Sequence, residues 1–214
     1  MIDVSKKKRI VLKLGTSTLT HKTGKLNIRR MTNLVRILSD LHNAGKELLM
    51  VSSGAVGMGV GKLNLAERPK DTPSKQAAAA VGQCELMHIY DDMFAKYNVT
   101  VAQILLTRAT LTNERLPHVQ NTIHRLLEMG VIPIINENDT VAIDELELEI
   151  GENDSLSATV AAAMGADLLI ILSDINGLYS ADPRTNSDAQ VIREVRKIDA
   201  SIEQMAGGAG SSLG

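Results

Sequence analysis

Two Asn-Asp pairs stand fifteen residues apart: Asn138-Asp139 within INENDT (135–140) and Asn153-Asp154 within GENDSL (151–156). Asn and Asp are ordinary turn formers, which accounts for one such pair. The second pair, again beside a strongly apolar segment, points to chemistry. Carboxylates flanked by amides suit recognition of an ammonium group, or the placement of lysines. A metal cage is the rival reading. Two well-separated aspartates with amides make a poor all-protein cage, and magnesium usually arrives with substrate phosphates and keeps several waters. No metal ligand is assigned.

Three further stretches carry residues of the right type. In VLKLGTSTL (11–19) a strand bearing Lys13 breaks at Gly15 into Thr16-Ser17-Thr18. Amides released by such a break cradle phosphate oxygens, and a lysine at a strand end reaches them as a point charge. The alternative is a surface lysine before an ordinary turn. In VSSGAVGMGVGK (51–62) glycines at 54, 57, 59 and 61 follow a strand. The spacing fits neither a Walker A loop nor GxGxxG. It leaves a strand-to-helix turn with exposed amides and two serines, or else a close-packed glycine-rich helix start. In LSDINGLYSADPR (172–184) a strand ends in Ser173-Asp174. Ligands of open α/β sheets sit at such carboxyl ends, although a surface loop reads the same way. His21, His42, His88, His118 and His124 show no ligand spacing and receive no catalytic role.

The elements that must position these residues alternate. RIVLKL (9–14), KELLMVS (46–52), VTVAQILL (99–106), VIPII (131–135) and DLLIILS (167–173) are near-continuous apolar runs, as expected of parallel strands buried on both faces. Between them, 27–44 carries a 3.6-residue stripe, and 74–96 and 113–129 also read as helices. Asn153 or Asp154 is placed to cap a helix over 155–164. The expectation is an α/β three-layer sandwich around a mostly parallel sheet. VAIDELELEI (141–150) reads as half of an exposed hairpin, DPRTNSD (182–188) as a turn-rich loop and GGAGSSLG (207–214) as a flexible end.

The totals narrow the classes. The 214 residues suffice for one sizeable domain. The formal charge of -2 and 2% aromatic content supply neither the basic face nor the stacking platform of a nucleic-acid binder. One cysteine, Cys84, excludes an intrachain disulfide and reads as a small buried side chain. No apolar run reaches membrane-spanning length and no signal peptide is evident, so a cytoplasmic protein is expected. The Lys6–Arg9 run reads as a solvated lead-in to the first strand.

In chain order, KLGTS, SSGAVGMG, SKQAAAAVGQ, INENDTV, GENDSLSA and LSDINGLYSADPR resemble the amino acid kinase family over essentially the whole chain. Within it they are most similar to the branch that phosphorylates the γ-carboxylate of glutamate, the first step of proline biosynthesis. SSGA and the strand-end KxG are shared with acetylglutamate kinase, aspartokinase and UMP kinase. The resemblance implies ATP and Mg²⁺ as cofactors and L-glutamate as substrate. It implies that Lys13 contacts the transferred phosphoryl group with Gly15 and Thr16 beside it, and that Asp154 organises the lysines. Ser53, Asp139 and Asn153 would bind glutamate, with Asn136 and Asn138 nearby, and Ser173 and Asp174 would contact the nucleotide. Residues 1–165 would form the glutamate-binding part and 166–214 the start of the nucleotide-binding part. A homodimer or homotetramer, with proline as feedback inhibitor, is implied as well.

One departure qualifies these expectations. The family's GTGGMxTK-like stretch, with a second phosphate-binding lysine, lies beyond Gly214, so the C-terminal part of the nucleotide half is expected to be missing. Glutamate binding would then survive where catalysis fails. The acidic stretch Asp144–Glu149 is a candidate flap near the glutamate site, or a solvated hairpin. The competing readings are another amino acid kinase, a non-catalytic glutamate or nucleotide sensor, and a Rossmann dehydrogenase, the last disfavoured by the absent GxGxxG.

Overall fold

The apolar runs form five strands: β1 (Arg9–Leu14), β2 (Glu47–Ser52), β3 (Thr100–Leu106), β4 (Val131–Glu137) and β5 (Leu168–Leu172). All pair in parallel, in the order β3-β4-β2-β1-β5. A computed structural model describes residues 3–21, 25–141 and 153–206. The acidic segment 142–150 and the chain end 207–214 lie outside the described residues.

Side-chain alternation splits the core into two layers. Ile10, Leu12 and Leu14 of β1, Leu48 and Met50 of β2, and Ile132 and Ile134 of β4 face one side. There they meet Met31, Val35 and Leu38 of α2 (Ile28–Asn43) and Leu86, Tyr90 and Phe94 of α4 (Thr72–Ala95). Val11, Leu49, Val51 and Ile135 face the other side, against Ile123 of α5 (Leu116–Glu128) and Val160 of α6 (Asn153–Ala163). The three layers match the expected architecture. Asn27 caps α2 by accepting from the Arg30 N–H at 3.1 Å, and Asp71 caps α4 by accepting from the Ser74 N–H at 2.9 Å.

β4 is buried throughout and contains Pro133. Its ladder to β2 comprises Met50↔Ile134 and Val51↔Ile135 and goes no further back. Pro133 has no N–H to extend it, whereas the ladder to β3 runs the full length of β4.

A short α3 (Ala55–Lys62) follows β2. Gly54, at φ 97°, makes the turn between them, a left-handed conformation suited to glycine. The helix then packs against α4 at backbone contact. A Cβ on Gly59 would lie 1.8 Å from the Ala78 carbonyl oxygen, and one on Gly82 would lie 1.8 Å from that of Ala55. The glycine-rich stretch is therefore both the turn and the close-packed helix start.

The amino ends of the strands are tied by charge. Arg9 Nε donates to Glu47 Oε2 at 2.8 Å, Arg9 Nη1 donates to the Met164 carbonyl, and Lys8 Nζ lies 3.0 Å from Glu47 Oε1. Asp167 Oδ2 accepts the N–H groups of Lys8 and Arg9 at 2.8 and 2.9 Å. The Arg9 N–H, then that of Lys8, holds the Asp167 carboxyl below its ordinary value. Burial pushes Glu47 upward, but hydrogen bonds from Lys8 and Arg9 outweigh it and leave this carboxyl lowered too.

Four local expectations need correction. Cys84 is exposed, because it lies on the opposite side of α4 from the buried Leu86 and Tyr90. Arg9 is half-buried and bonded rather than solvated. α6 starts at Asn153, so Asn153 and Asp154 are its first residues and not caps of a later helix. β4 continues to Glu137, which makes Asn136 a buried strand residue.

The chain divides into two compact units, Met1–Leu172 and Ser173–Gly214. The first holds the sheet. The second contains the expected turn, where the N–H groups of Thr185 and Asn186 donate to the Asp182 carbonyl, followed by an antiparallel bridge Tyr179↔Val191 and α7 (Ala200–Ala206).

Candidate active site

The carboxyl ends of β1, β2 and β4 bring most of the expected residues together. Lys13 has the same parity as Val11 and so faces the α6 layer. Its Nζ lies 2.7 Å from Asp154 Oδ1, in the first turn of α6. Lys13 is 11% exposed and Asp154 39%. The approach to Oδ1 is off the hydrogen-bonding direction, so the contact is chiefly one of charge. The aspartate holds the ammonium in place, and three N–H donors remain to be shared with an incoming anion.

Asn153 joins the carboxyl ends of two strands, β2 and β4. Its Nδ2 donates to the Ser52 carbonyl at 2.7 Å, to Ser53 Oγ at 3.0 Å and to Asn136 Oδ1 at 3.0 Å. Two protons serve three acceptors, so one is shared. Because Ser53 Oγ accepts from Asn153, its own proton is available to a ligand. Asn136 Oδ1 also accepts the Glu137 N–H at 2.9 Å, and Asn136 Nδ2 donates to Gln83 Oε1 at 2.8 Å. Ser52 and Tyr90 share a buried hydroxyl–hydroxyl bond of 2.9 Å. Burial drives the Tyr90 hydroxyl well above its ordinary pKa, with the Ser52 bond opposing weakly, so it stays protonated.

Asn138 and Asp139 follow β4 directly and are half-buried. The Asn138 N–H donates to the Leu106 carbonyl at 2.7 Å, and its Oδ1 accepts from Thr140 Oγ1. Gly15 ends β1, and Thr16 begins the single-turn α1 (Thr16–Leu19). The Thr18 hydroxyl donates to the Leu172 carbonyl at 3.2 Å, linking that turn to the end of β5. Ser173 and Asp174 are exposed in the second unit, where Ser173 Oγ donates to Asp174 Oδ1 at 3.2 Å.

Sequence reasoning gave no role to Gln83, Ser52 or Tyr90. Gln83 closes the SKQAAAAVGQ stretch, and its signal was a polar residue among the small apolar ones of α4.

An open parallel sheet with a lysine–aspartate pair and convergent amides at the carboxyl ends of adjacent strands defines an α/β protein built to hold a small anionic ligand. The chain belongs to the amino acid kinase family, whose model matches residues 8–212. It is 55% identical over 210 residues to a glutamate 5-kinase of Clostridium perfringens, covering 97% of this chain and 78% of that protein. It is 52% identical over 212 residues to one of Moorella thermoacetica, covering 99% of this chain but 56% of that one. Among solved structures, the UMP kinase of Ureaplasma parvum shares the fold, with a TM-score of 0.61 at 14% identity, covering 94% of this chain and 86% of that one. Among the described residues no helix is long and apolar enough to cross a membrane.

Proposed function

We infer that this chain belongs to an enzyme for ATP-dependent phosphorylation of the γ-carboxylate of L-glutamate, giving L-glutamyl 5-phosphate and ADP, the opening step of proline biosynthesis in the cytoplasm. The observation that carries this reading is the placement of the Lys13–Asp154 pair beside the Asn153–Ser53–Asn136 network. Relatives named glutamate 5-kinase, at over half identity, support it.

The nucleophile needs no base. A γ-carboxylate has a pKa near ~4.3 and is ionised at neutral pH. Its oxygen attacks the γ-phosphorus of ATP as the bond to the ADP oxygen breaks, so the enzyme's task is to position the reactants and neutralise charge. Lys13 supplies a cation to the transferred phosphoryl oxygens, and Asp154 keeps that cation aimed. Ser53 donates its free proton to the amino acid, and Asn153, Asn136 and Asn138 frame the pocket. The Asp139 carboxylate takes the substrate ammonium. Gly15 and Thr16 offer amides to phosphate, and Ser173 and Asp174 contact the nucleotide. Mg²⁺ arrives with the nucleotide phosphates. The division at about residue 165 between a glutamate part and a nucleotide part belongs to the same reading, as do a homodimer or homotetramer and proline as a competing inhibitor.

The test is ADP release with glutamate, aspartate, N-acetylglutamate and UMP as acceptors. It uses the chain as given and a version lengthened to match the Clostridium perfringens relative. Glutamate should be the preferred acceptor by at least about a hundredfold, as expected where a site pairs a substrate's polar groups. Preference for another acceptor rejects the substrate assignment. Glutamate binding without turnover in either version would favour a sensor.

A further inference from the structure

Three amide orientations at the site are forced, and they end at a side chain without an assigned role. The Ser52 carbonyl requires a donor, so Asn153 presents its NH₂. The Glu137 backbone N–H requires an acceptor, so Asn136 presents its oxygen there and receives Asn153 on the same atom. The Asn136 NH₂ is thereby turned toward α4, and Gln83 must meet it with Oε1. Asn153 and Asn136 are pinned by main chain, and Gln83 follows from Asn136, which leaves one consistent arrangement.

The last group in the chain is Gln83 Nε2. Gln83 is 7% exposed, and Nε2 has no hydrogen-bond partner among the described residues. A buried amide donor without a partner is costly, and such a group asks for an explanation. A methionine or leucine would fill the same space in α4 at no such cost. Helix α4 is also closely packed here: Gly82, next in chain, sits at backbone contact with Ala55 in the first turn of α3, and Tyr90 two turns on is bonded to Ser52. Gln83 thus projects from a closely packed part of α4 onto the Asn136 amide.

We propose that Gln83 is a positioning residue for the amino-acid substrate. It holds the Asn136 amide in the one orientation that leaves Asn153 directed at Ser52 and Ser53, and it thereby sets the affinity for the acceptor without touching the phosphoryl group. This rests on the reading of that network as the amino-acid site. The Ser53 hydroxyl keeps its free proton only while Asn153 donates to it, and Asn153 keeps that geometry only while Asn136 offers its oxygen. Without the Gln83 acceptor, the buried Asn136 NH₂ would lose its partner, and the amide would be held from the oxygen side alone, by the Glu137 N–H and Asn153.

Steady-state kinetics on the lengthened version, and glutamate affinity by calorimetry on the chain as given, decide the matter, with Gln83→Met as the isosteric variant lacking the acceptor; in the chain as given the Kd for glutamate takes the place of KM. The KM for glutamate should rise about tenfold, the worth of a positioned hydrogen bond, while kcat and the KM for ATP change less than about twofold. Asn136→Ala should raise the same KM, and the double variant should be no worse than Asn136→Ala alone, because Gln83 acts through Asn136. A merely structural role would lower the melting temperature and leave the KM split unmoved. An unchanged KM in Gln83→Met, or effects that multiply in the double variant, would overturn the proposal. Should Gln83→Met fail to fold, Gln83→Asn retracts the acceptor by one methylene and must show the same rise in KM. If the wild type ignores glutamate, the substrate reading fails. If it turns glutamate over and the Gln83 variants match it, only this inference fails.

Discussion

The two ends of the sheet handle polar groups in opposite ways. At the amino ends, Arg9, Glu47, Lys8 and Asp167 close on one another and on main-chain groups of β1 and of the segment after α6. Charge meets charge, and the main-chain groups there find partners. At the carboxyl ends the groups are mainly neutral amides, joined in a directional relay around one lysine–aspartate pair that is held by charge rather than by a well-aligned hydrogen bond. One end spends its polarity on holding strands in register. The other keeps donors in reserve: the Ser53 proton and Lys13 N–H groups. The ion pairs and main-chain bonds at the amino end are closed on one another, whereas several donors at the carboxyl end stay open to a ligand, although His42 Nδ1 and Ser39 Oγ are buried without a partner among the described residues as well.

The sharpest test of this contrast is Lys13→Met. Removing a cation aimed at a developing phosphoryl charge should lower kcat about 10²–10³-fold, comparable to deleting a preorganised electrostatic donor. The melting temperature should fall only modestly, because the Asp154 side chain is 39% exposed even though the Oδ1 that faces Lys13 is buried. Large loss of stability with preserved turnover would reverse the roles of the two ends.

Gly82→Ala probes the link between scaffold and site. The added Cβ would meet the Ala55 carbonyl oxygen at 1.8 Å, so α3 and α4 must separate. Overpacking of this kind costs about 1–3 kcal/mol. It should also raise the glutamate KM, since α3 begins two residues after Ser53. Chemical denaturation together with kinetics checks both effects.

Arg9→Met breaks the amino end alone. Glu47 and the Met164 carbonyl lose a partly buried donor, and stability should fall by about 1–3 kcal/mol with kcat/KM unchanged. The smallest expected effect is acid sensitivity. Glu47 and Asp167 both have folded pKa values below their ordinary ones. Their contribution is complete above the unfolded carboxylate pKa near ~4 and is lost as pH falls through the lower folded values. An acid limb of the melting temperature that shrinks in Glu47→Gln would confirm it.

Much of this was legible beforehand. Every strand was visible as an apolar run: β1, β2 and β4 are largely buried on both faces, and the edge strands β3 and β5 are apolar though only partly covered. The Asn-Asp pairs, Lys13 and Ser53 stood out as polar residues at the edges of those runs. Cys84 and Asn136 were misplaced for a common reason: a helix as Ala-rich as α4 has almost no amphipathic stripe to say which side is inward, and a strand's last residues look like loop when they are polar.

Sequence alone therefore determined the alternating β-α order, the parallel sheet and which residues bear charge at strand ends, since these follow from local period and polarity. Only the tertiary structure decided that β4 lies between β3 and β2, that Asn153 bonds Ser52, Ser53 and Asn136, and that Gln83 completes the relay. Those pairings join residues 17 to 101 positions apart. Hydrogen bonds across such separations depend on where packed layers place their ends, and no local pattern encodes that.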